Sequence, residues 1–366
     1  MGKVDERNQS VTNILNDLIT KAKDTNYTLN ETSYKDAMDK LFTTDAWGFR
    51  EIILVVVVGM KMDESYRAST GLYDCNPRAI YEGPIKEFLI ENNIPHRKSG
   101  PLNIAKAAKG LDSAWAAQRR PQDVAKKVVD IVNLLENSQT ANFTEMIGVS
   151  LLRRLIAESQ RMENLNVEIE PSEDPEWLYT ISHELISKAP DAGNTPQKIA
   201  AFLLKNYHLA MNTGIIVTGE EDRASVTSTT SKKPGDVNEE SADGNIYKVY
   251  EITVKPFDIA RIRDSYDCVN TYNQSSNADL HEIIVICRPE DCPTEMKKST
   301  THVYMGSYEY QDIIYYYWNI YEWVCDTLQR MTSNARSSFY TNLNNYISDI
   351  NTSETVKKLW LKLHNR

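Results

Sequence analysis

The part of the chain that most restricts its fold is the succession "NIYKVYEITVK" (245–255), "PFDIARIRDSYDCVNTY" (256–272) and "HEIIVICRP" (281–289). The first run is rich in β-branched and aromatic residues and reads as a strand. The second is amphipathic and opens on a proline, which suits a helix, and the third is a short apolar strand. A helix between two strands returns the chain to the same end of a sheet, so the order predicts a parallel β-α-β crossover. Side chains alternate along a strand, so Val249, Glu251, Thr253 and Lys255 share one face. Lys248, Tyr250, Ile252 and Val254 share the other, more apolar face. An acid and a lysine on one face of a core strand mean that the face is wet or that the charges do work.

A chain of 366 residues exceeds one typical domain, and its texture changes once. Up to about residue 190 the pattern is helical, as in "VTNILNDLITKAK" and "PQDVAKKVVDIVNLLEN", with almost no strand signal. "IILVVVVGM" (52–60) is a buried helix or strand, too short to span a membrane. Beyond "SKAPDAGNTPQ" the expectation is a helix at 195–211, a strand at 214–219, a polar loop at 219–235 and then the β-α-β unit. Two Tyr/Trp-rich helices, 310–331 and 337–350, are expected to close the chain. The reading is therefore α+β. A largely helical region, 1–190, is assigned to DNA binding and recognition, and a mixed sheet flanked by helices occupies 191–366.

Asp236 follows Pro-Gly just before the strand, where it can lie beside Glu251. Two carboxylates a few ångströms apart repel, which raises one pKa unless a cation sits between them. Mg²⁺ is the natural occupant, because it binds oxygen through one or two carboxylates together with phosphate oxygens and waters. A nearby lysine can then orient or help to deprotonate a water.

With "PGD" at 234–236 and "EITVK" at 251–255 in this strand order, residues 196–290 resemble the catalytic core of the PD-(D/E)XK nuclease superfamily. Within it the chain is most similar to type II restriction endonucleases. The resemblance implies Mg²⁺-dependent, site-specific hydrolysis of double-stranded DNA by a homodimer, with a companion DNA methyltransferase as a functional partner. Asp236 and Glu251 would hold the metal, and Asp236, Glu251 and Lys255 would be catalytic. The family spaces its acid and lysine two residues apart. Here Thr253 holds that place and Lys255 stands four away, roughly 13 Å along an extended strand. The rival readings are a non-catalytic DNA-binding or assembly protein and a structure-specific repair nuclease of the same fold.

The net charge of −10 argues against a wholly basic binder, yet the sign reverses locally in 96–127. Arg97, Lys98, Lys106, Lys109, Arg119 and Arg120 there face few acids, and Asn103 suits a phosphate contact. Lys232 and Lys233, in "TSTTSKK" (227–233), form a second candidate grip on the backbone. His183 and His208 read as helix residues without ligand partners, and the aromatic run 308–323 reads as core or a dimer face. Five cysteines without a zinc-like spacing suit reduced thiols in a cytoplasmic protein with no membrane partner, and "MGKVDERNQSVTNIL" lacks a signal-peptide core.

Overall fold

The computed structural model describes residues 2–97, 100–138, 142–221 and 233–365. It divides into two compact units, Met1–Asn164 and Leu165–Arg366.

The first unit is helical: α1 (Lys3–Lys23), α2 (Lys35–Leu41), α3 (Gly48–Met62), α4 (Pro77–Ile80), α5 (Lys86–Glu91), α6 (Gly100–Ile104), α7 (Ser113–Ala117), α8 (Gln122–Asn137) and α9 (Phe143–Glu163). The run 52–60 lies in α3, buried without interruption from Gly48 to Met60. A helix apolar all round belongs at the centre of a helical assembly. Its buried Arg50 pairs with Glu158 of α9 and donates to the Leu41 carbonyl at 2.9 Å, so the charge is compensated. Between α4 and α5 the backbone leaves helical geometry at Gly83 (φ −105°, ψ −107°), just before Pro84, which has no N–H to give. The basic stretch after Gly100 is broken similarly. Ala107 takes φ +61° between the short helices α6 and α7.

The second unit runs α10 (Pro175–Lys188), α11 (Asn194–Met211), β1 (Ile216–Thr218), β2 (Val237–Glu240), β3 (Ile246–Thr253), α12 (Ile259–Ser276) and β4 (Glu282–Cys287). It continues with β5 (Lys297–Lys298), β6 (Tyr304–Tyr310), β7 (Ile313–Asn319), α13 (Ile320–Arg330), α14 (Ser333–Ser348) and α15 (Glu354–His364). The seven strands form one sheet in the order β1-β2-β3-β4-β7-β6-β5. β3 pairs with β4 in parallel, as the crossover pattern requires, and β4 pairs in parallel with β7, while the remaining pairs are antiparallel. Tyr250, Ile252, Val254 and Ile286 pack with residues of α10, α11, α13 and α14 on one face. Val249 and Val285 pack with Ile262 and Val269 of α12 on the other.

Three expectations change. The stretch 310–331 is not one helix but strand β7 followed by α13. Ile313, Tyr315 and Tyr317 are buried while Ile314, Tyr316 and Trp318 are half-exposed, a period of two that marks a strand. Helical texture extends to about 190, but the compact units meet at 164/165. α10 buries Leu178, Ile181, Leu185 and Ile186 in the core of the second unit, so its packing partners decide its membership. Strand β3 ends at Thr253, and α12 begins after an Asp258 cap whose carboxylate accepts from the Ala260 and Arg261 amides.

Candidate active site

The register of β2 against β3 explains how two acids fifteen residues apart come together. Val237 lies opposite Tyr250 and Asn238 opposite Val249, so one step outward sets Asp236 opposite Glu251, on the α12 side. The Ile252 amide donates to Asp236 Oδ2 at 2.9 Å. The approach depends on glycine. A Cβ on Gly235 would stand 2.4 Å from a Val249 methyl, and one on Gly219 (φ +101°) 2.1 Å from the Asp236 carbonyl oxygen. Gln197, in the first turns of α11, fixes the same point by donating from Nε2 to the carbonyls of Gly219 and Asp236, at 3.1 and 3.2 Å.

Glu251 Oε1 accepts from Ser265 Oγ of α12 at 3.2 Å. Burial, reinforced by the neighbouring Asp236 charge, pushes the Glu251 carboxyl up to about 8. Arg261 and the Ser265 hydroxyl act in the opposite sense. Burial also raises Asp236, against the Ile252 amide and the Arg261 charge. Burial and the Asp236 charge both favour the protonated form of Glu251, which relieves the repulsion between the two carboxyls.

Lys255 stands outside the strand that carries Glu251. It lies two residues past the end of β3, exposed, and its ammonium makes no ion pair among the described residues. The cation beside the acids is Arg261, which the sequence reading overlooked. Its Nη1 donates to Thr253 Oγ1, and its guanidinium lies over the Phe257 ring, 4.8 Å from the centroid. Thr253 occupies the position where the family pattern has its lysine, so the guanidinium is tied to that very side chain. Arg261 and Ser265, four residues apart, fall on one face of α12, and this spacing was the available signal. Lys248 is exposed and lies opposite Glu239 in the β2–β3 register.

Among the described residues no group of three or more His, Cys, Asp or Glu side chains gathers into a ready metal cage. The Asp236–Glu251 pair still has the donors a Mg²⁺ ion takes, two carboxylates whose mutual repulsion a cation relieves. His208, expected to be a helix residue without metal-ligand partners, is buried on α11 with two hydrogen-bond partners. Its Nε2 lies 3.1 Å from Glu239 Oε1 and its Nδ1 3.0 Å from Thr213 Oγ1, and Tyr250 Oη donates to the same Glu239 oxygen at 2.7 Å. Glu239 is set opposite Lys248 and Tyr250 packs in the α11 core, so this cluster belongs to the opposite sheet face from Glu251.

In the first unit Asn103, Lys106, Lys109 and Arg120 are exposed, and Arg119 is half-buried, donating to the Lys106 carbonyl at 3.2 Å. Arg97 lies over Trp47 at 4.3 Å, while its amide donates to the buried Glu51 at 2.6 Å. Burial pushes Glu51 up to about 7, although it accepts from Tyr81 and Arg97. Lys233 is half-buried, and Lys98 and Lys232 lie outside the described residues. No described helix is long and apolar enough to cross a membrane. No family model matches the chain, and no curated protein matches it.

Proposed function

We propose that the second unit is a Mg²⁺-dependent phosphodiester hydrolase of the PD-(D/E)XK type, acting on double-stranded DNA as a type II restriction endonuclease. The observation that carries this reading is the half-buried acid pair, Asp236 opposite Glu251, set on the β-α-β crossover. Asp236 and Glu251 would hold the metal, which supplies Lewis acidity toward the phosphodiester and toward water. Ser265 orients Glu251 through its hydroxyl, and Gln197 with the Ile252 amide fixes Asp236. Arg261 brings a permanent positive charge to the acids, suited to a phosphate whose negative charge grows in the transition state. Lys255 stands exposed at the end of β3, where it suits a contact with the DNA backbone better than activation of water. The exposed cations of 103–120 are assigned to further phosphate contacts in the same reading.

The test is incubation of the purified protein with phage DNA, with Mg²⁺ or with a chelator. Discrete bands that require Mg²⁺ support a restriction enzyme, and a smear rejects site specificity. Binding without cleavage under every metal condition favours the non-catalytic reading. Asp236→Ala and Glu251→Ala should each abolish cleavage and leave much of the DNA binding in place. Near wild-type cleavage by either variant removes the assignment.

A further inference from the structure

Strand β4 ends at Cys287, a short turn follows at Pro289–Asp291, and the chain returns at Cys292 with its sulfur 3.7 Å from that of Cys287. We propose that Cys287 and Cys292 form an oxidisable dithiol, a modification site in which Cys292 is the entry thiol and Cys287 the resolving thiol. The two differ in access. Cys287 is fully buried, whereas Cys292 is partly exposed, with its sulfur 3.8 Å from the Met305 sulfur. Their hydrogen bond lowers the Cys292 thiol and raises that of Cys287, so Cys292 supplies the nucleophilic thiolate. No third His, Cys, Asp or Glu side chain gathers with them among the described residues.

The reaction needs an oxidant, and a small-molecule disulfide such as oxidised glutathione serves. The Cys292 thiolate attacks one sulfur of the oxidant, forming a mixed disulfide and expelling one thiolate. Cys287 then gives its proton to the thiolate released in the first step and attacks the Cys292 sulfur, expelling the second thiolate. Two protein thiols are oxidised, and one disulfide is reduced to two thiols. Closure requires the sulfurs to approach by about 1.7 Å to reach disulfide length. The turn between them is the anchor for the end of the site strand. Arg288 Nη2 donates to the Val254 carbonyl at 2.8 Å, the Phe257 amide donates to the Asp291 carbonyl at 2.9 Å, and Phe257 lies under Arg261. Oxidation therefore tightens the support of residues 254–257. The thiol chemistry stands whether or not the second unit is a nuclease.

The experiment treats the full chain with oxidised glutathione, quenches with acid and maps the thiols by mass spectrometry. The wild-type protein should give an internally linked 287–292 peptide lighter by two hydrogens and restored by dithiothreitol. Cys287→Ser should halt as a glutathione adduct on Cys292, and Cys292→Ser should leave Cys287 unmodified. Amide hydrogen exchange at 254–257 should slow on oxidation. Reduced Cys287 and Cys292 under conditions that modify Cys268 or Cys325 would overturn the proposal. An adduct on Cys287 in the Cys292→Ser protein would overturn the assignment of roles. Unchanged exchange at 254–257 would overturn the coupling to the site strand.

Discussion

Replacing Glu251 by Gln removes a carboxyl that the fold holds protonated far above its ordinary range. The folded protein keeps that proton up to about pH 8, while the unfolded chain releases it near 4.5. Between those values the folded state binds more protons, so metal-free stability falls as pH rises and levels off above about 8. At roughly 1.4 kcal/mol per pH unit the ceiling is about 5 kcal/mol. Glu251 is half-buried and its titration is linked to that of Asp236, so about 2 kcal/mol is the expected size. For a unit of this length that corresponds to roughly 4–8 °C in Tm between pH 5.5 and 8.5. Differential scanning calorimetry with a chelator present gives the comparison. The wild-type transition should fall across the interval, and Glu251→Gln should flatten that part of the fall. Mg²⁺, which competes with the proton for the carboxyls, should raise the wild-type Tm more at pH 8.5 than at pH 5.5. Equal slopes for the two proteins would refute the raised Glu251 carboxyl. Equal Mg²⁺ effects at both pH values would refute the pair's role as the metal seat.

Arg261→Ala should slow single-turnover cleavage by about a hundredfold or more, in the range for loss of one preorganised charge, whereas Lys255→Ala should cost less than about tenfold. The reverse order would return the catalytic cation to Lys255. Neutralising Lys106, Lys109 and Arg120 together should weaken binding to all DNA sequences alike and reduce the salt dependence of the binding constant. Unchanged binding in a salt titration would leave 96–127 a solvated face.

The strand order and the acid-bearing face were legible because they rest on local rules. Period-two alternation on 246–253 set Glu251 and Thr253 on one side and Tyr250 and Ile252 on the other, and the packing follows that division. The helix 259–276 announced the crossover through its amphipathic pattern. The same local reasoning misread 310–331, because a Tyr-rich run satisfies strand and helix patterns equally and the pairing of β7 with β4 is a long-range fact. It also extended β3 to Lys255, since nothing local shows that Thr253 turns its hydroxyl onto the Lys255 amide and carbonyl and closes the strand.

The sequence by itself determined which acids are available, which face of the strand Glu251 occupies and how the chain crosses from β3 to β4. Each follows from backbone geometry repeated every two or 3.6 residues, and such periods survive in a one-dimensional string. Only the tertiary structure decided that Asp236 meets Glu251, because register depends on the close approach that Gly235 permits and Gln197 secures across a gap in sequence. It also decided that the Arg261 charge acts on the pair and that β3 ends before Lys255. A helix docked on a sheet brings together side chains that no spacing rule connects, and burial there pushes the Glu251 carboxyl up to about 8.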